Sequence, residues 1–315
     1  GMMDCKKALI EAEGDFARAQ DIIREKGKLV VAKRADRTAT EGVVVTKIVG
    51  QKAYILCLAC ETDFVANGAD FIKLTSDILD AAIAAKAHTL DEVKALTLAD
   101  GSAVQDAITQ RSGITGEKME LDGYNVLEGD NIEVYDHMGK HTLATMVQLN
   151  KENAELGHKM AMQVAAMKPI ALDEESVPQE VKDNEFQVAV QKTKEEQIEK
   201  AVEVALKKAG LNPNLVDSED HIESNIKKGW LTREEADKAL VIKKEAAEQK
   251  AANMPEQMIQ NIAKGRLAKF LKECCLVNQE FQFGDGDKTS VADYLKKQDK
   301  DLKIVAYKRF TLVAE

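Results

Sequence analysis

A chain of 315 residues, 44% of them hydrophobic, is long enough for two or more domains with cores of their own. Its net charge of -10 argues against a nucleic-acid backbone binder, which needs a basic face to displace counterions. No run approaches the roughly 18 to 20 apolar residues of a membrane helix and no secretory signal opens the sequence. Five cysteines without the dense framework of a small secreted fold suit a reducing compartment, so the cytoplasm is the expected location.

In chain order, residues 1–27 form two short helices, Asp4 to Glu11 and Phe16 to Glu25, separated by Glu13-Gly14-Asp15 and closed by Gly27. Residues 28–40, with Lys28, Lys33, Arg34 and Arg37, make a basic linker with helical tendency. Val43 to Lys47 and Tyr54 to Cys60 read as strands around the turn Val49-Gly50-Gln51-Lys52. Phe71, Leu74, Ile78, Leu79 and Ile83 then recur at helical spacing, which predicts a helix from about Ala69 to Ala85. Leu90 to Gly116 is expected to be helical and Tyr124 to Leu127 a strand. A second hairpin-then-helix unit spans Ile132 to Lys168, with turn Met138-Gly139-Lys140 and helix Ala154 to Met167.

The two hairpin–helix units form a weak internal repeat. Gly50 and Gly139 differ by 89 positions and Ala81 and Ala165 by 84, so the first copy carries about 5 extra residues. They fall in the connection Glu61 to Gly68, where loops tolerate insertion and carry function. That connection holds an aromatic, Phe64, beside an acid, Asp63, where a loop is ordinarily small and polar. Two readings follow: Phe64 folds back as a plug of the local core, or it is a wedge for a partner protein.

From Val177 to about Gln260 Lys, Glu and Ala dominate, and Ile198, Ala201, Val202, Ala205 and Ala209 form a narrow stripe. Gly210-Leu211-Asn212-Pro213-Asn214 ends this helix, a short one follows near Ser218 to Lys227, and Gly229-Trp230-Leu231 breaks the chain again. Thr232 with Glu235 makes a capping box for a returning helix that ends before Pro255, so the segment is an antiparallel coiled-coil arm. Beyond it, Met258 to Lys272 and Ser290 to Gln298 read as helices, and Gln279 to Phe283 and Leu302 to Val313 as strands.

Chemistry-bearing constellations are sparse. Cys57 and Cys60 spell Cys-x-x-Cys, but residues three apart on a strand point to opposite faces. His137 and His141 flank a hairpin turn, and Gly113-Ile114-Thr115-Gly116-Glu117-Lys118 lacks the spacing of a phosphate loop. No nucleophile signature or paired-carboxylate setting stands out, and no metal or cofactor site is expected.

Around Thr62-Asp63-Phe64-Val65 the sequence resembles the elongation factor Ts family, whose signature is a Thr-Asp-Phe-Val run between hairpin and helix. Gly1-Met2-Met3-Asp4-Cys5-Lys6-Lys7-Ala8-Leu9, Val164-Ala165-Ala166-Met167-Lys168-Pro169, Gly265-Arg266 with Lys269-Phe270, and Tyr307-Lys308-Arg309-Phe310 resemble it too, in the family's order. The resemblance implies an α+β protein. Residues 1–27 would be a ubiquitin-associated-like helical domain lacking its first helix, followed by the 28–40 linker. Two related subdomains at 41–123 and 124–315 would each hold a small antiparallel sheet and helices, with a coiled-coil insertion at about 177–260.

By the same resemblance the chain is a non-covalent exchange catalyst, not an enzyme. It would bind elongation factor Tu in GDP-bound and nucleotide-free forms and promote GDP release. Thr62, Asp63, Phe64 and Val65 would disturb the magnesium and phosphate site, while Met2, Met3, Lys6 and Gln163 would contact the partner. Neither nucleic acid nor membrane is an expected partner, and a homodimer is compatible with the sequence. Two other readings stand beside this one: a non-catalytic helical adaptor, and a thiol oxidoreductase using Cys57 and Cys60.

Overall fold

The computed structural model describes residues 1–312. Helix α1 (Met2–Glu11) turns at Gly14 and Asp15, whose carboxylate accepts the Arg18 N–H and caps α2 (Phe16–Lys33). Strands β1 (Glu41–Val49) and β2 (Lys52–Cys60) form the first hairpin, followed by the four-residue helix α3 (Asp63–Ala66) and by α4 (Ala69–Ala84). Then come α5 (Leu90–Lys94), α6 (Val104–Thr115), β3 (Glu120–Glu128), β4 (Ile132–Asp136), β5 (Leu143–Leu149) and α7 (Ala154–Met167). The arm contributes α8 (Gln179–Lys208), α9 (Glu219–Lys227), α10 (Arg233–Ala252) and α11 (Glu256–Cys274), and the chain continues through α12 (Val291–Gln298) to β6 (Ile304–Thr311).

The fold is α+β. Two antiparallel sheets, in strand order β1-β2-β3 and β4-β5-β6, belong to one compact unit made of Gly1–Leu172 and the chain from Leu276 onward; Asp173–Cys275 is a second unit. In the first unit β2 is apolar on both faces. Tyr54, Leu56, Leu58 and Cys60 pack under α4, α5 and α6 with Phe71, Ile78, Leu79, Val93 and Ile108. Ala53, Ile55, Cys57 and Ala59 face the second sheet through Ile132, Ala144 and Met146. The outer side of that sheet is covered by α7 and α12, where Val147, Leu149, Met160, Val164, Tyr294 and Leu295 are buried together. Period-two alternation along β2 thus joins a helical layer to a second sheet.

In the second unit the 30-residue α8 packs against both α10 and α11, so one long helix runs beside two shorter ones. Ile198, Ala201, Val202 and Ala205 are half-buried, as a narrow seam requires, and Leu206, Val216, Ile222, Leu231, Ala236 and Ala239 form a small core of their own. The Thr232–Glu235 capping box is formed in both directions.

Several elements differ from the sequence expectation. Helix α2 passes through Gly27 and ends only at Lys33, in the stretch expected to be linker. That glycine allows a close crossing instead of a stop, since a Cβ on Gly113 of α6 would come within 2.8 Å of the Gly27 Cα. The segment 90–116 is two helices, because the Asp100 carboxylate accepts both the N–H and the hydroxyl of Ser102 and turns the chain at Gly101. Strand β3 includes Tyr124 and Leu127 but pairs with β2, completing the first sheet. Gln279 to Phe283 is not a strand. It makes one isolated bridge, Glu280 with Ser290, while the Gln282 N–H is taken by the Gln163 side chain. The last strand is β6, ending at Thr311, and Val313 lies outside the described residues.

The crossing of α2 and α6 predicts opposite outcomes for two glycine substitutions. Gly113→Ala forces the helices apart and is expected to lower stability in urea unfolding by about 1–3 kcal/mol. Gly265→Ala, in α11 with open space around its Cβ position, is expected to be neutral or to stabilise by about 0.5–1 kcal/mol. Equal effects at the two positions would contradict the close approach.

Candidate functional site

The first hairpin reaches its helix α4 through residues 61–68, whereas the second reaches α7 through residues 150–153. The added residues of the first connection fold into α3. Thr62 is its N-cap: the hydroxyl accepts the Val65 N–H at 3.3 Å, and the Cys60 thiol donates to the Thr62 carbonyl at 3.2 Å. Ala66 is buried and Val65 half-buried against the core beneath α4. Asp63 and Phe64 point away from that core, and Phe64 is 86% exposed. The core-plug reading of Phe64 therefore fails, because the inward positions of this turn belong to Val65 and Ala66.

Two carboxylates that the sequence reading did not single out hold the base of the turn. Glu117, just after α6, accepts the N–H groups of Glu61 and Thr62, each at 3.1 Å, and the Thr62 hydroxyl at 2.5 Å. Glu61 reaches the other way, accepting the Lys118 N–H at 2.7 Å and the Arg34 guanidinium at 3.0 and 3.2 Å. The Lys118 ammonium donates to the Ala35 and Arg37 carbonyls, both at 3.0 Å, so the chain leaving α2 joins the same network. Gly116 closes α6 in the left-handed region at φ 74°, which turns Glu117 back toward the loop. The Gly113–Lys118 run thus serves as a clamp. Separations of 55 to 57 residues between its partners left no local signal in the sequence.

Of the other expected contact residues, Met2 and Met3 are 89% and 63% exposed on α1 and Lys6 is exposed beside them, with Leu9 and Ile10 extending a shallow apolar surface. Helix α1 packs on α2, and the far end of α2 reaches the loop base through Arg34. Gln163 is a correction. It is fully buried, its amide NH2 donates to the Gln279 side chain and the Glu280 carbonyl, and its oxygen accepts the Gln282 N–H. It fastens the 279–282 segment to α7 and offers no surface to a partner.

Cys57 and Cys60 are both fully buried, in the cores on opposite sides of the first sheet. Burial raises both thiols, Cys60 to about 12, which disfavours the thiolate that redox exchange requires, and their places on opposite faces keep the two sulfurs in separate cores. The thiol-oxidoreductase reading is set aside. His141 pairs with Asp136 and His137 lies beside the Tyr135 hydroxyl at 3.3 Å; among the described residues, no three His, Cys, Asp or Glu side chains are grouped to hold a metal ion. None of the helices in the described residues is long and apolar enough to cross a membrane.

An apolar side chain held out on a clamped helical turn is suited to contact with another protein. A family model described as Elongation factor TS matches residues 61–208 and 187–314, a range that opens at the base of this turn. The chain belongs to the elongation factor Ts family of translation elongation factors. The elongation factor Ts of Phocaeicola vulgatus is 60% identical over 315 residues, spanning the whole of this chain and 95% of that relative. The one from Parabacteroides distasonis is 59% identical over the same span, and the one from Porphyromonas gingivalis 38% identical over 316 residues.

The clamp carries a pH dependence. The Lys118 N–H, and after it Arg34, hold the Glu61 carboxyl below its ordinary value of 4.5. A depressed carboxylate contributes its stabilisation in full above that value and loses it as pH falls through the lower folded-state value. The Lys118 amide proton, followed by NMR during acidification, is expected to show its inflection below 4.5. An inflection at or above that pH would contradict the clamp.

Proposed function

We propose that the chain is a guanine-nucleotide exchange factor for elongation factor Tu, acting in the cytoplasm during translation elongation. The observation that carries this reading is Phe64, 86% exposed at the tip of a turn whose base is fixed by two carboxylates. Phe64 enters a pocket on the partner's nucleotide domain with Asp63 beside it, and displaces elements that hold the magnesium ion and phosphates. Loss of magnesium leaves the phosphate charge uncompensated and GDP departs. Thr62 and Val65 set the angle of entry, one as cap and the other as inward anchor. Met2, Met3 and Lys6 supply a second contact through α1.

An exchange factor of this kind must bind nucleotide-free elongation factor Tu better than the GDP-bound form, and reciprocity makes it weaken GDP binding by the same coupling free energy. Burying one Phe side chain contributes roughly 1.5–3 kcal/mol, and each 1.4 kcal/mol is about tenfold. Phe64 then accounts for about ten- to a few-hundredfold, and the α1 surface supplies part of the rest. The chemistry is non-covalent throughout. The mechanism needs one copy of the chain, and a homodimer would present two such loops.

The test is the release rate of fluorescent GDP from elongation factor Tu at fixed magnesium. The parent protein is expected to accelerate release, and Phe64→Ala to lose roughly tenfold or more of that acceleration. A parent that binds but leaves release unchanged would overturn the exchange reading in favour of an adaptor.

A further inference from the structure

Helix α3 has four residues, far too few to persist in water on its own. Its inward side offers only Val65 and Ala66 to the core, and Phe64 is not anchored at all. The direction in which Phe64 points is therefore set by what fixes the first turn. That turn is fixed from outside by residues 117 and 118.

We infer that Glu117 is a positioning residue for nucleotide exchange: its carboxylate, in a reciprocal lock with Glu61, fixes the Thr62–Val65 turn and sets the aim of Phe64. The inference rests on the exchange reading. Three hydrogens converge on the Glu117 carboxylate, from the Glu61 N–H, the Thr62 N–H and the Thr62 hydroxyl. The hydroxyl has one proton and gives it to Glu117, which leaves its lone pair for the Val65 N–H. Cap and anchor thus pass through one oxygen atom. Glu117 is itself held to α6, because the Ser112 hydroxyl donates to its carbonyl at 2.5 Å.

Glu61 closes the lock from the opposite side and extends it to Arg34 at the end of α2. The lock therefore also connects the loop to the helix on which α1 is packed. A partner gripping the α1 surface meets Phe64 on a turn that cannot swing away. Without the lock, binding through α1 survives while insertion of the ring becomes slow.

The experiment compares Glu117→Ala and Glu117→Gln in the full chain. In GDP release from elongation factor Tu, Glu117→Ala is expected to lower the maximal rate about tenfold while shifting the half-saturating concentration less than about threefold. Glu117→Gln keeps an oxygen for both backbone N–H groups and is expected to stay within about threefold of the parent. Glu117→Ala combined with Phe64→Ala is expected to be no more than about twofold slower than Phe64→Ala alone, since the two act through one step. A loss confined to half-saturation, or losses that multiply, would overturn the positioning role.

Amide hydrogen exchange on the chain alone separates this inference from the reading beneath it. The Glu61, Thr62 and Val65 amides are expected to exchange about tenfold faster in Glu117→Ala and near the parent rate in Glu117→Gln, with the α7 core amides unchanged. Unchanged loop amides in Glu117→Ala would overturn the lock whatever the exchange activity. A parent without effect on GDP release would instead overturn the exchange reading, and with it the positioning role.

Discussion

Strand β2 is buried along nearly its whole length on both faces, and the polar chemistry of the protein begins where that burial stops. One face meets the helices α4, α5 and α6, the other meets the second sheet, so no residue from Ala53 to Cys60 can shift without disturbing two cores. Glu61 is the first residue past that constraint. The loop that follows inherits a rigid origin from the strand, and its remaining freedom is removed by hydrogen bonds from a segment that is distant in sequence.

A site made this way divides the work between apolar and charged groups. Val65 and Ala66 set how deep the turn sits, and Glu61 and Glu117 set its orientation. Hydrogen bonds to carboxylates are directional and stronger than neutral ones, which suits them to orienting a short helix that lacks cooperativity of its own. Phe64 is left in water, and its apolar surface is available to a partner. The fully buried Gln163 shows the opposite use of a polar side chain, with every hydrogen-bonding end turned inward to fasten an irregular segment.

The parts of this arrangement that depend on short-range pattern were legible in the sequence. The first hairpin, α4, α7 and the capped return helix of the arm follow from period-two and period-3.6 spacing and from cap residues, and the inserted connection showed as a difference between two repeat copies. Phe64 stood out there by its chemistry. What the sequence did not disclose depends on contacts between distant segments. Gly27 carries the same letter whether it stops a helix or lets another one approach. Gln163 looks like a surface amide until the 279–282 segment is laid over it. Glu117 and Lys118 gave no sign of their partners at Glu61, Thr62, Ala35 and Arg37, which are more than fifty residues away.

In the proposed mechanism, insertion of Phe64 into the partner and retention of GDP with magnesium oppose each other. This opposition is tested most directly by placing 4-fluorophenylalanine at position 64 and following its fluorine NMR signal with elongation factor Tu. The expected result is a solvent-exposed signal in the free protein, a shifted and broadened one with the nucleotide-free partner, and a return toward the free position when GDP and magnesium are added. A signal that stays at its solvent-exposed position within a stable nucleotide-free complex would contradict it.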